Sequence, residues 1–123
     1  MINAKELRIG NLVEYKITDK FDERKEWWEV SEIDADDIHW LSKVDTNDDD
    51  FRAIPLTEDW MIRLGFENTA NVFYYRYGFY SIFITKDNNG FHFQHEDGFT
   101  PIKNVHELQN LVFFLCYEEL TVA

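Results

Sequence analysis

The stretch NVHELQNLVFFLCYEEL, residues 104–120, decides the fold because no other segment predicts so long a single element. Its apolar residues recur at helical spacing, with Asn104 as N-cap and Glu107 three residues on, as in a capping box. From Leu111 onward the segment is apolar on almost every side, which is typical of a helix covered on more than one face. We expect a core helix whose buried residues are Leu108, Leu111, Val112 and Leu115.

Segments with a period of two precede this helix and predict an antiparallel meander with short turns. Aromatic residues lie on both faces of its first strand, so a helix packed on one face leaves the other face partly apolar. The predicted strands are residues 72–77, 79–85, 91–94 and 99–102.

The first half of the chain predicts further strands. Gly10-Asn11 is a turn signal, and residues 12–17 follow as a strand, which is how many SH3-like barrels begin. Residues 27–33 and 38–41 predict a hairpin with its turn at Asp34 to Asp37.

A short central helix is predicted from residue 57 to residue 65. Thr57 suits its N-cap, Gly65 suits the residue after its end, and Trp60, Met61 and Leu64 fit its buried face. The fold class is therefore α+β, and we expect residues 1–123 to form a single domain.

The chain has 123 residues, of which 17% are aromatic, which argues against disorder. Cys116 is the one cysteine, and its place in the apolar helix predicts a core residue rather than a nucleophile. No apolar run approaches the roughly 20 residues of a membrane span, and the N-terminus lacks the apolar segment of a signal peptide. We therefore expect a cytoplasmic protein.

The formal net charge is −12, and it is spread unevenly. Residues 19–50 hold thirteen acidic and four basic residues, whereas the rest of the chain is nearly neutral. Such a field repels phosphates and membrane surfaces, so we expect no direct nucleic-acid binding and no membrane binding. It favours a protein partner with a basic surface.

Three stretches carry a resemblance: ELRIGNLVEY at residues 6–15, IPLTEDWMIRLGF at 54–66 and IKNVHELQNLVFFLCYEEL at 102–120. In this order and spacing they resemble a family of small uncharacterised proteins found widely in Bacteroidetes genomes and their phages or prophages. The resemblance implies a bacterial or phage origin, and it brings no activity, cofactor or catalytic residue. Residues 19–50 match the family pattern least.

One acidic pattern is similar to a calcium loop but fails on spacing. Asp45, Asn47 and Asp49 match the opening of an EF-hand, yet Asp50 stands where glycine is required and Leu56 where glutamate is. We therefore expect no calcium site.

The histidines do not predict a metal site either. His92 and His95 are three apart on a strand and so point to opposite faces, and His106 is expected at an exposed position of the last helix. The carboxylate pairs in residues 19–50 lack a nearby nucleophile or phosphate loop. We expect no metal, no cofactor and no catalytic residue.

Trp27 and Trp28 are adjacent strand residues and should face opposite ways, one towards the core and one towards solvent. An exposed tryptophan in an acidic rim is a suitable anchor for a protein partner, although neighbouring loops could instead cover both rings. The candidate partner-binding residues are Trp27, Trp28, Asp45, Asp48, Asp49 and Asp50.

These observations predict a non-enzymatic protein-binding module, encoded by a phage or prophage, that modulates or inhibits a host protein. One form of this hypothesis is nucleic-acid mimicry, in which carboxylates occupy a basic groove. The alternatives are a structural protein that forms a homodimer through its aromatic sheet face, and a small-ligand binder or enzyme.

Overall fold

The computed structural model describes residues 6–22, 24–43, 51–78, 80–116 and 118–120. The fold is α+β, with two antiparallel sheets, strands in the N-terminal half and a helix near the C-terminus, which confirms the predicted class. The chain divides into two compact units, Met1–Ile54 and Pro55–Ala123. No helix in the described part of the chain is long and apolar enough to cross a membrane.

The first unit is a three-stranded antiparallel sheet with one helix in its described residues. Its central strand pairs with both others, in the order β2-β1-β3. Leu7, Val13, Ile33 and Phe51 form its core, and Ile38 packs against them. The elements are β1 (Leu12–Thr18), β2 (Glu26–Glu32), α1 (Ala35–Lys43) and β3 (Phe51–Arg52).

The predicted turn at Gly10-Asn11 is confirmed. Gly10 has a φ of 97°, a conformation that favours glycine, and its N–H donates to the carbonyl of Ile33 at 2.8 Å. Asn11 is fully buried, and its side-chain oxygen accepts from the N–H of Arg8 at 2.6 Å. The turn therefore joins the start of β1 to the residue that follows β2.

The predicted strand at residues 38–41 is wrong, and so is the hairpin that it would have formed. The helix α1 replaces both, because Asp34 and Asp37 make a reciprocal capping box. The N–H of Asp37 donates to Asp34 Oδ1 at 2.8 Å, and the N–H of Asp34 donates to Asp37 Oδ2 at 3.1 Å. A helix cap thus occupies the position that we had assigned to a turn.

The described residues of the second unit form a five-stranded antiparallel meander and two helices, and the strand order follows the chain from β4 to β8. The predicted meander is confirmed, and a further strand, β4, precedes it. The elements are α2 (Glu58–Arg63), β4 (Glu67–Thr69), β5 (Val72–Tyr77), β6 (Tyr80–Asp87), β7 (Gly90–His95), β8 (Gly98–Ile102) and α3 (Val105–Cys116).

The ends of α2 follow the prediction from sequence. Thr57 is the N-cap, and its hydroxyl accepts from the N–H of Trp60 at 3.2 Å. After the last turn, Gly65 has a φ of 96°, and the N–H of Phe66 donates to the carbonyl of Met61 at 3.0 Å. This is a Schellman motif, which needs glycine at that position.

One face of the second sheet is buried together with one side of α3. Strand register places Phe73, Ile84 and Phe93 on that face, with Phe73 and Ile84 fully buried. The buried residues of α3 are Val105, His106, Leu108, Gln109, Val112 and Cys116. The core role of Cys116 is thus confirmed.

Two expectations about α3 are wrong. Leu111 is only half-buried and Leu115 is 45% exposed, because the buried stripe passes through Val105, Leu108 and Val112 and leaves both residues at its margins. His106 is 1% exposed rather than at the surface. Apolar side chains beside the buried side of α3 are therefore exposed to solvent. Phe114, for example, is 79% exposed.

Residues 118–120, which follow α3, contact side chains of β5 and of α3. The Tyr75 hydroxyl donates to Glu118 Oε2 at 2.6 Å, and the side-chain amide of Gln109 donates to the carbonyl of Leu120 at 3.2 Å. Leu120 is 2% exposed. Residues 118–120 are therefore held by side chains from the sheet and from the helix.

Candidate functional site

The candidate partner-binding residues fall into two sets. Asp45, Asp48, Asp49 and Asp50 lie outside the described residues, and their role stays a prediction. Trp27 and Trp28 lie in β2, the outer strand of the first sheet. We use the name "acidic edge" for this strand, Glu26–Glu32, which carries three glutamates and no basic residue.

Trp27 is the exposed member of the tryptophan pair, with 43% of its surface accessible. Its indole N–H donates to Glu29 Oε1 at 2.9 Å. This hydrogen bond orients the ring. Register pairs Trp27 with Ile17, on the sheet face that carries Tyr15 and Phe51.

Trp28 lies on the opposite face and has a different environment. The guanidinium of Arg52 is 3.9 Å from the centre of the Trp28 ring, within cation–π distance. The same guanidinium bonds Glu14 Oε2, with Nε at 2.8 Å. Trp28 is half-buried, and the guanidinium that contacts its ring is already paired with Glu14. Trp27 is more exposed and is therefore the better candidate anchor.

The charges beside the acidic edge are only partly balanced. Lys16 Nζ lies 3.4 Å from Glu26 Oε2, and the carboxylate of Glu29 is engaged by the neutral indole of Trp27. Val30, 48% exposed, adds apolar surface on the face of Trp28. The strand therefore offers an aromatic ring, an aliphatic side chain, carboxylates and an outer backbone edge.

The carboxylates of Asp34 and Asp37 cap the start of α1. Asp34 and Asp37 accept each other's backbone N–H groups in the capping box. Burial raises the pKa of the Asp37 carboxyl, and the negative charge of Asp34 adds to that rise. Each of the two carboxylates therefore already accepts a hydrogen bond from the other residue's backbone N–H.

A second candidate site lies in the second unit, where β6 and β7 separate. Their ladder runs from Asp87 and Gly90 at the turn to Ile84 and Phe93. Beyond that pair, within the described residues, Ser81–Phe83 pairs only with β5 and Gln94–His95 only with β8. We call this opening between the two strands "the fork".

A cavity of about 320 Å³ fills the fork. A second cavity on the open sheet face shares Phe83 and residues 94–96 with it. The first cavity is lined by Ser81, Ile82, Phe83, Phe93, Gln94, His95, Glu96, Leu115 and Cys116.

The fork contains one carboxylate among mostly apolar walls. The ring of His95 accepts from the N–H of Asp97 at Nδ1, at 3.3 Å, and its Nε2 lies 2.9 Å from the Thr100 hydroxyl. Burial raises the pKa of the Cys116 thiol, and Glu96 is the carboxylate residue of the lining.

The histidines do not assemble with other ligands. His92 lies on the face opposite His95, and its Nδ1 is 3.7 Å from an Asp87 carboxylate oxygen. Within the described ranges, no group of three or more His, Cys, Asp or Glu residues could hold a metal ion.

Sequence patterns did not identify the fork. It depends on where the β6–β7 ladder ends, and both strands keep their period of two past that point. Glu96 directly follows β7 and precedes Asp97-Gly98. Comparison with protein-family models, with curated proteins and with solved structures found no match for this chain.

Proposed function

We propose that this protein is a small acidic, non-enzymatic protein-binding module that binds a partner with a basic surface. The acidic edge, together with the rest of residues 19–50, is the proposed binding surface, and Trp27 is its anchor. The observation that carries the proposal is an exposed, oriented tryptophan on an outer strand that holds three glutamates.

The anchor role follows from burial and geometry. Aromatic side chains that become fully covered in a complex dominate the binding energy of many interfaces. The Trp27 ring is 43% exposed and its N–H already has an acceptor in Glu29, so a partner can cover its faces without leaving a polar group unsatisfied.

The choice of a basic partner follows from charge. The chain has a net charge of −12, and residues 19–50 carry most of it. A concentrated negative field accelerates encounter with a positive surface and disfavours nucleic acids and membranes. The outer backbone edge of β2 also allows a partner strand to add to the sheet, a recurring mode of peptide recognition.

The biological setting rests on the resemblance to a family from Bacteroidetes genomes and their phages or prophages. In that setting we propose a cytoplasmic modulator or inhibitor of a host protein. Nucleic-acid mimicry is one form of this function, in which the carboxylates occupy a basic groove of the host protein.

A second function, self-association as a homodimer, is favoured by the open face of the second sheet. Phe83 and Phe99 lie on that face and are 46% and 61% exposed. Register puts both residues on the face opposite the buried Phe73 and Ile84.

One experiment separates the two functions. A Bacteroidetes lysate is passed over the immobilised protein, the captured protein is identified by mass spectrometry, and its binding is measured with Trp27→Ala and Phe99→Ala variants. We expect Trp27→Ala to weaken the captured complex at least tenfold and Phe99→Ala to leave it unchanged. Equal binding by both variants would contradict the proposed surface, and a dimer mass in light scattering that Phe99→Ala abolishes would support the second function.

A further inference from the structure

We propose that the fork binds a small organic cation, with its apolar body in the opening between Phe83 on one sheet face and Phe93 and Leu115 on the other, and its ammonium group at Glu96. This site is separate from the acidic edge, and it does not depend on the proposed protein partner. The inference rests on three features of the fork: its size, the character of its walls and its charge.

The size of the cavity fits a small ligand. Its volume of about 320 Å³ lies at the lower end of the range for sites that hold small molecules. The fork stays open because the β6–β7 ladder ends at Ile84 and Phe93 although both strands continue. α3 contributes Leu115 and Cys116 to the same cavity.

The walls suit an apolar body that carries a positive charge. Phe83 and Phe93 line the cavity from opposite faces of the sheet, and a cation near an aromatic face is attracted by its electron density. Leu115 is 45% exposed and Phe83 is 46% exposed, so apolar surface on two sides of the fork is available for a ligand to cover.

The charge of the cavity lining favours a positively charged ligand over a negatively charged one. Among the residues that line the cavity, Glu96 supplies a negative charge and no lysine or arginine opposes it. The ring nitrogens of His95 contact the N–H of Asp97 and the hydroxyl of Thr100. The net charge of the protein, −12, adds to the attraction for a cation and repels an anion.

The backbone of the fork adds hydrogen-bonding groups. In the described part of the sheet, Ser81–Phe83 and Gln94–His95 form ladders on their outer sides only. Carbonyl groups that point into the opening are therefore free of ladder partners and can accept hydrogen bonds from an ammonium group. An ammonium with three donors can use Glu96 and such a carbonyl together.

The test uses three probes of similar shape: phenethylammonium, phenethyl alcohol and phenylacetate. Each is titrated into isotope-labelled protein, and chemical-shift changes are followed by NMR. We expect saturable shifts at Phe83, Phe93 and Leu115 with phenethylammonium, weaker binding of the alcohol and weakest binding of phenylacetate.

Variants then separate charge from shape. Glu96→Gln should weaken phenethylammonium about threefold to fivefold, the effect of one partly exposed ion pair, and leave the alcohol unchanged. Phe83→Ala should weaken both probes, and it should fold normally because Phe83 is half-exposed. Asp59→Asn is the matched control, since Asp59 lies on α2, has an 81% exposed side chain and is not part of the cavity lining.

Two results would overturn the proposal. One is the absence of saturable shifts at the fork with phenethylammonium in the wild-type protein. The other is equal binding of the ammonium and alcohol probes with no effect of Glu96→Gln, because the fork would then be an apolar cleft without charge selection. Neither result bears on binding at the acidic edge, which is measured with a protein partner.

Discussion

At the scale of single residues, Trp27 and Trp28 illustrate how adjacent positions of one strand acquire different roles. The Arg52 guanidinium lies at cation–π distance from the Trp28 ring and also bonds Glu14. The Trp28 ring therefore takes part in contacts within the first sheet. Trp27 points to the other face, holds Glu29 through its indole N–H and remains accessible. Side-chain alternation puts the two rings on opposite faces, and Trp27 is accessible although its face also carries the core residues Val13 and Phe51.

Leu108 and Leu115 of α3 give a direct test of which side of the helix is buried. Leu108 is inaccessible to solvent, so Leu108→Ala should lower the free energy of unfolding by about 2–5 kcal/mol. Leu115 is 45% exposed, so Leu115→Ala should cost less than about 1 kcal/mol. Denaturant unfolding measures both values, and a larger cost for Leu115 would show that the buried side is misassigned.

Tyr75 should make stability depend on pH in the alkaline range. Burial, together with the hydrogen bond to Glu118, raises the pKa of the Tyr75 hydroxyl to about 12 from its usual value of 10.0. The folded protein therefore holds this proton more tightly than the unfolded chain does. The contribution to stability is fully present below the usual pKa, and it is lost as pH rises towards the folded value.

Two variants measure this contribution. The difference in melting temperature between wild type and Tyr75→Phe should stay constant up to the usual pKa of 10.0 and shrink as pH rises from there to about 12. Glu118→Gln keeps a hydrogen-bond acceptor but removes the charge, so it should lower the pKa of Tyr75 as read from tyrosinate absorbance. A pKa of Tyr75 that does not respond to Glu118→Gln would contradict the assigned contact.

At the scale of elements, α1 depends on its capping box. Asp34→Ala removes the acceptor for the N–H of Asp37 and should lower the free energy of unfolding by about 1 kcal/mol. Asp34→Asn should stay close to wild type because asparagine caps equally well. Thermal unfolding followed by circular dichroism measures both, and Asp36→Ala in the same turn is the control. Equal stability of Asp34→Ala and Asp34→Asn would mean that the cap does not stabilise the helix.

A comparison of α2, α1 and the fork shows which features of the structure could be predicted from the sequence. Thr57 and Gly65 bound α2 as predicted, because cap residues act on their nearest neighbours. α1 was mistaken for a turn and a strand because Asp34 and Asp37 also favour turns, and only their reciprocal hydrogen bonds distinguish the two. The fork was missed because the end of a ladder depends on tertiary packing rather than on local pattern.

At the scale of the whole molecule, charge is the feature that most constrains function. Residues 19–50 hold thirteen of the 24 acidic residues, and the acidic edge lies within them. Exposed carboxylates contribute little to folding, so neutralising several of them should leave the melting temperature unchanged or slightly raised. Their expected effect is on the rate at which a basic partner associates.

The most direct test of the acidic surface is the association rate of the captured partner, measured by stopped flow at increasing salt. One variant neutralises Asp45, Asp48, Asp49 and Asp50 to Asn. Its matched control neutralises four exposed carboxylates of the second unit, namely Asp59, Glu67, Asp97 and Glu119, to the corresponding amides.

We expect the wild-type rate to fall with salt, and the variant in residues 45–50 to associate several-fold more slowly than its control at low salt. Equal rates for the two variants, together with a wild-type rate that ignores salt, would contradict a binding role for the acidic segment.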